Sequence, residues 1–269
     1  MTIFKISDGV ELFFQIQGEG RPVVFIHGWS ADHTKFDPQF EELSKKYKVI
    51  TYDLRGHGKS ERPEKGLTLN RFAIDLKELM EYLELKDVAL VGWSMGTSII
   101  FEYVKTYGVS GLSSITIIDM TPKLINDDKW KLGLYHGKYK LKDAMNDLTT
   151  MYEDLLSFAE PFLKITIPYL SQGELQQTLE RFKNNTPHIL AAMWYAMVYN
   201  DYREVLPKIT VPTQIIYGDK STLYSKETAE YLNSKIPSSK VIPFENCTHL
   251  LIVENPDKLT QVVDEIASI

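Results

Sequence analysis

The run Val88-Ala89-Leu90-Val91, followed at once by Gly92-Trp93-Ser94-Met95-Gly96, limits what this chain can become more than any other stretch. It starts as a short apolar, β-branched segment suited to a strand and continues from Thr97 into residues that can form a helix. A strand that turns this sharply into a helix forces a strained backbone on the residue at the bend. Glycines two positions to either side remove the Cβ atoms that would collide there. Ser94 is thereby lifted clear of the sheet, with Oγ at a helix N-terminus whose dipole favours developing negative charge. As a bare pattern, Gly-x-Ser-x-Gly is also an ordinary glycine-rich turn. Its place between a buried-strand run and a helix selects the nucleophile reading.

The chain of 269 residues is 43% hydrophobic and 25% charged, enough for a sizeable core in one large domain or one domain with an insertion. Net charge is −6, and lysines are interspersed with acids rather than clustered, which leaves nucleic acid no footprint. A single cysteine, Cys247, precludes an internal disulfide and does not imply an oxidising compartment. The first residues lack the charged and apolar regions of a signal peptide, and no apolar run approaches the ~20 residues of a membrane span. The expectation is a cytoplasmic protein without a nucleic-acid or membrane partner. Nothing in the sequence encodes an oligomeric state.

Residues 3–7 and 10–17 alternate around Asp8-Gly9, the pattern of a tight hairpin. Pro22-Val23-Val24-Phe25-Ile26 is apolar without alternation, as expected of a strand with both faces covered. Residues 47–52 and 113–118 read as further buried strands, and 69–83 carries helical apolar spacing. Between Pro122 and Pro207 no buried strand is evident; helices are expected over 145–158, 174–183 and 189–199. Strand patterns return at 211–217 and 240–244, around a helix that Ser225 would cap, and Asn255-Pro256 opens a terminal helix. The expected fold is α/β: a mostly parallel sheet with helices on both faces, formed by 1–121 and 207–269, with 122–206 inserted as a helical cap over the carboxyl ends of the strands.

In such a sheet ligands collect beyond the carboxyl ends of the strands. Those ends carry His27-Gly28-Trp29, the segment from Asp53 to Ser60, Ser94, Asp119, Gly218 to Ser221 and the loop of His249. A serine hydroxyl needs a neighbouring base, and of the six histidines His249, between the last strand and the last helix, is the best placed. Here the chain resembles the α/β-hydrolase fold superfamily. The resemblance rests on His27-Gly28, Asp53-x-Arg55-Gly56-x-Gly58-x-Ser60, Gly92-x-Ser94-x-Gly96, Gly218-Asp219, and His249 followed by Glu254-x-Pro256. It implies Ser94 as nucleophile, His249 as its base, and an oxyanion hole from the backbone N–H groups of Trp29 and Met95. His27 would support the oxyanion turn from behind, and His57 would hold its own loop. His33, His136 and His188 are expected at the surface or in the insertion, with His136 retained as a pocket-lining candidate. Cys247 is expected to be packing, and no spacing of these groups suggests a metal or cofactor site.

The acid departs from the commonest pattern of that superfamily, which puts it three residues beyond Gly218, where this chain has Ser221. Asp119, at the end of the neighbouring strand, is the preferred candidate, because some members carry the acid there. Asp219 is the alternative. Either need only hold Nδ1–H of the histidine.

Trp130, Tyr135, Met151, Phe158, Phe162, Met193, Trp194 and Met197 would give the insertion an apolar underside, although most are expected to pack its own core. With Trp93 beside the nucleophile, they favour a small-molecule ester with an apolar acyl or alcohol group. The leading expectation is a carboxylesterase working through an acyl-enzyme on Ser94. A C–C bond hydrolase or a cofactor-free perhydrolase would share the same residues. A ligand receptor on the same fold is a further class, disfavoured by the intact Ser94 and His249.

Overall fold

The computed structural model describes residues 2–269. Eight strands form one sheet in the order β1-β2-β4-β3-β5-β6-β7-β8. They are β1 (Thr2–Lys5), β2 (Glu11–Gln17), β3 (Pro22–Ile26), β4 (Lys48–Tyr52), β5 (Val88–Trp93), β6 (Leu112–Ile118), β7 (Thr213–Gly218) and β8 (Ser239–Phe244). β2 pairs antiparallel with both β1 and β4, and the sheet from β4 to β8 is parallel. The β1–β2 hairpin turns at Gly9, whose φ of 91° a side chain would resist.

The helices are α1 (Asp37–Leu43), α2 (Leu69–Tyr82), α3 (Met95–Tyr107), α4 (Leu134–Gly137), α5 (Leu141–Glu153), α6 (Leu155–Thr166), α7 (Gln172–Phe182), α8 (Pro187–Tyr199), α9 (Lys226–Lys235), α10 (Leu251–Glu254) and α11 (Pro256–Ala267). The central strands lack alternation because both of their faces are covered. Val24 and Ile26 join a core with α2, α3 and α9, while Val23 and Phe25 join another with α1 and α11. Burying such side chains on two faces contributes about 1.5–3 kcal/mol each, which ties the strand ends to a rigid platform.

Between β6 and β7 the chain is helical, from α4 to α8. The single helix expected over 145–158 is two. Asp154 leaves the helical conformation (φ −154°, ψ 103°) and accepts the Leu156 N–H at 3.0 Å, ending α5 and capping α6. Asn255 caps α11 through the Lys258 N–H at 3.3 Å, whereas Ser225 occupies the N-cap position of α9 without a side-chain cap bond. Among the described residues no helix is long and apolar enough to cross a membrane.

Candidate active site

Ser94 sits between β5 and α3 with φ 53° and ψ −122°, a conformation that non-glycine residues rarely hold. The flanking glycines make the bend possible. A Cβ on Gly92 would lie 2.7 Å from Ile100 Cδ1 and 2.8 Å from the Gly96 carbonyl carbon, and one on Gly96 would run into the Ile26 carbonyl. Thr97 closes the bend, its Oγ1 donating to the Gly92 carbonyl at 2.6 Å and its N–H to the Ser94 carbonyl at 2.8 Å. The Met95 N–H, at the first position of α3, has no intrahelical acceptor. Among the described residues neither it nor the Trp29 N–H donates to an acceptor within the chain.

The turn that carries Trp29 is held by two buried neutral imidazoles. The Leu54 N–H donates to His27 Nε2 at 3.0 Å, which leaves the proton on Nδ1 to bond the Gly28 carbonyl at 2.8 Å. His57 Nε2 accepts the Ser30 N–H at 3.1 Å. Burial pushes the His27 ring below its ordinary range and pushes His57 down to about 3.

His249 Nδ1 lies 2.7 Å from Asp119 Oδ2, and both side chains are buried. Asp119 follows β6 in a left-handed conformation, φ 44°. The Trp93 indole N–H donates to the His249 carbonyl at 3.0 Å. Glu254 holds the loop from the other side, accepting both the N–H and the hydroxyl of Thr248 at 2.6 Å. Ser94 and His249 line one cavity of about 90 Å³, walled by Trp29, Phe162, Trp194, Met197, Tyr224 and Leu250 among others.

With this geometry in view, residues 21–256 match the family described as the alpha/beta hydrolase fold. The chain belongs to that family. It is 30% identical over 265 residues to non-heme chloroperoxidase CPO-A1 of Kitasatospora aureofaciens, covering 96% of this chain and 95% of that protein. To AB hydrolase superfamily protein YisY of Bacillus subtilis (strain 168) it is 28% identical over 272 residues, covering 98% of each. Among solved structures, the esterase EaEST from Exiguobacterium antarcticum superposes with a TM-score of 0.90 at 28% identity, over 100% of this chain and 99% of that one.

In this α/β hydrolase the two candidate acids lie in different places. Asp119 reaches His249, whereas Asp219 is exposed, with Lys220 Nζ 3.8 Å away. Ser221 donates its hydroxyl proton to Asp119 Oδ2 at 2.7 Å. His33, expected at the surface or in the insertion, is instead buried, because Asp53 Oδ1 accepts both its N–H at 2.7 Å and its Nδ1 at 2.8 Å. Burial alone would raise the Asp53 carboxyl, but these bonds from His33 and one from the Lys59 N–H at 2.7 Å hold it below the usual carboxylate range. His188 is exposed on α8. His136 is exposed and lies outside the cavity; its Nε2 bonds the Ser221 carbonyl at 2.8 Å.

Of the eight apolar insertion residues, Phe162, Trp194 and Met197 line the cavity, and Trp130, Tyr135, Met151, Phe158 and Met193 do not. Met151 and Met193 are fully buried in the core, and Phe158 stacks on Phe162 at 5.5 Å. Sequence reasoning missed what the Trp29 side chain does. Its indole N–H donates to the Leu190 carbonyl of α8 at 2.9 Å, and its ring meets Phe158, Phe162, Phe182 and Trp194 at 5.2–5.8 Å. An aromatic residue next to His27-Gly28 was the only signal available. Tyr224, whose ring stands 5.9 Å from His249, carried none.

Proposed function

We propose that this α/β hydrolase is a carboxylesterase that cleaves small, mainly apolar esters through an acyl-enzyme on Ser94. The observation that carries the reading is the 2.7 Å bond between His249 Nδ1 and Asp119 in the wall of the cavity that Ser94 also lines. Asp119 fixes the tautomer, so that Nε2 of His249 is the free base. It takes the Ser94 proton as Oγ attacks the ester carbonyl and returns it to the departing alcohol. On that attack the carbonyl oxygen becomes an anion, and it re-forms the C=O bond as the alcohol leaves. The uncommitted N–H groups of Trp29 and Met95 are its donors, each contributing on the order of 3 kcal/mol in the transition state. Water activated by the same imidazole releases the acid.

Substrate size follows from the cavity. About 90 Å³ walled by Trp29, Phe162, Trp194 and Met197 suits a short apolar acyl group and excludes a long chain lying flat. In this reading residues 122–206 act as a lid that keeps bulk water from the intermediate. The test is release of p-nitrophenol from an acetate-to-octanoate ester series, with a fluorophosphonate adduct mapped by mass spectrometry. Turnover on the shorter esters and an adduct on Ser94 are expected, and both are lost in Ser94→Ala. A chain that binds such esters but never acquires an adduct is a receptor and not an enzyme.

The 30% identity to a non-heme chloroperoxidase favours one second reading, perhydrolysis. Hydrogen peroxide would replace water at the acyl-enzyme and leave as a peracid, through the same residues. Peracid formation from acetate and hydrogen peroxide, compared with ester hydrolysis by the same preparation, separates the two.

A further inference from the structure

Ser221 has no part in the chemistry above, yet it is bonded to the carboxylate on which that chemistry depends. Its Oγ and His249 Nδ1 share one acceptor, Asp119 Oδ2, each at 2.7 Å, while Asp119 Oδ1 is buried without a partner. The direction of the serine bond is fixed. The N–H groups of Leu223 and Tyr224 both point at Ser221 Oγ from 3.4 Å, which leaves its own proton for the carboxylate. Ser221 is 5% exposed and is gripped from its other side. His136 Nε2 donates to its carbonyl at 2.8 Å, and the His136 N–H reaches the Leu223 carbonyl at 3.4 Å. At this contact Tyr135 and His136 both stand in the left-handed region, φ 55° and 52°, which non-glycine residues hold only where their surroundings over-determine it.

We propose that Ser221 is a positioning residue, which keeps Asp119 Oδ2 aligned with His249 Nδ1 while the imidazole gains and loses its proton. The proposal rests on the reading of Asp119 as the acid that orients His249. An aspartate is free to turn about its last side-chain bond, whose torsion is broad and roughly two-fold. With a single donor on Oδ2, rotation would break one bond and bring the unpartnered Oδ1 round in its place. A second donor on the same oxygen doubles the bonds that rotation must break, and charge-assisted bonds of this kind are the strong ones. Ser221 does not line the cavity, so its loss acts on turnover and spares substrate binding.

The test compares Ser221→Thr with Ser221→Val, which have the same shape and differ only in the hydroxyl, alongside Ser221→Ala and Asp119→Asn. Each is assayed for kcat and KM on a short p-nitrophenyl ester and for the downfield proton resonance of the His249 Nδ1–H···Asp119 bond. Ser221→Thr is expected to stay near the parent. Ser221→Val and Ser221→Ala are expected to lose kcat about 10-fold at unchanged KM, the size expected for a bond to a charged group. Their downfield resonance shifts or broadens. Equal kcat and an unmoved resonance in the Thr and Val variants overturn the proposal. If Asp119→Asn is inactive in that case, the acid stands and only the role of Ser221 falls. If Asp119→Asn keeps full turnover, the reading of the acid itself has failed.

Discussion

Ser94, His249 and Asp119 come from three loops separated in sequence, and a 2.7 Å bond joins the last two. Replacing the Asp119 carboxylate by an amide leaves its shape but presents the wrong partner to Nδ1–H. Asp119→Asn is therefore expected to lower kcat about 10⁴-fold, and Asp219→Asn to leave it unchanged, in steady-state assays on one ester. The reverse result would move the acid to the β7 turn. Ser94 and His249 could be singled out as candidates from sequence because each is announced locally, by glycines around a bend and by a loop before the final helix. The acid was legible only as a pair of candidates. Both aspartates follow apolar strands, and what separates them is direction: Asp119 turns inward at φ 44°, while Asp219 faces solvent. His33 was misjudged for a similar reason, since its burial depends on Asp53, twenty positions away along the chain.

At the scale of elements, the parallel strands were legible because two-sided burial removes alternation, a signal that each strand carries on its own. The helices between β6 and β7 were harder. Asp154 breaks a continuous helical pattern by offering its side chain to Leu156, and a single aspartate in a long helical run does not advertise that choice. Which helical side chains face the cavity was not legible either. It is set by how α6 and α8 lie over the Trp29 ring, and no periodicity encodes that. Phe162 of α6 is the most consequential of them, since it meets Trp29 at 5.8 Å and Trp194 at 5.7 Å in the cavity wall. Phe162→Ala enlarges the cavity and should shift the optimum of the p-nitrophenyl series to longer acyl chains. It should also destabilise the fold in urea melts, by less than the ~3 kcal/mol of a fully buried Phe→Ala, because Phe162 is half-buried. An unchanged chain-length optimum would exclude Phe162 as a limit on acyl length.

For the molecule as a whole, acid is the expected weakness. His57 is neutral when folded, held down to about 3 by burial, whereas an unfolded chain protonates a histidine near its ordinary ~6.5. The folded value is the lower of the two. The stability this group contributes is therefore complete above about pH 6.5 and declines as pH falls toward 3, by about 1.4 kcal/mol per unit. His27, also lowered by burial, acts with the same sign as pH falls below its ordinary value. Urea unfolding at pH 7, 6 and 5 measures this; a flat stability profile over that range would mean that neither ring is kept neutral.

The helices between β6 and β7 are fastened to the rest of the molecule at the places where a swinging door would need to be loose. Trp29 is tied to Leu190, Ser221 to His136, and Glu254, which steadies the Thr248 backbone, to Tyr169. An outward hinge motion would tug the Trp29 turn, the Ser221 neighbour of Asp119 and the His249 loop out of register together. If the carboxylesterase proposal holds, incoming ester and outgoing alcohol are expected to thread between rim side chains that flip aside one at a time, while the helices above them stay where they are.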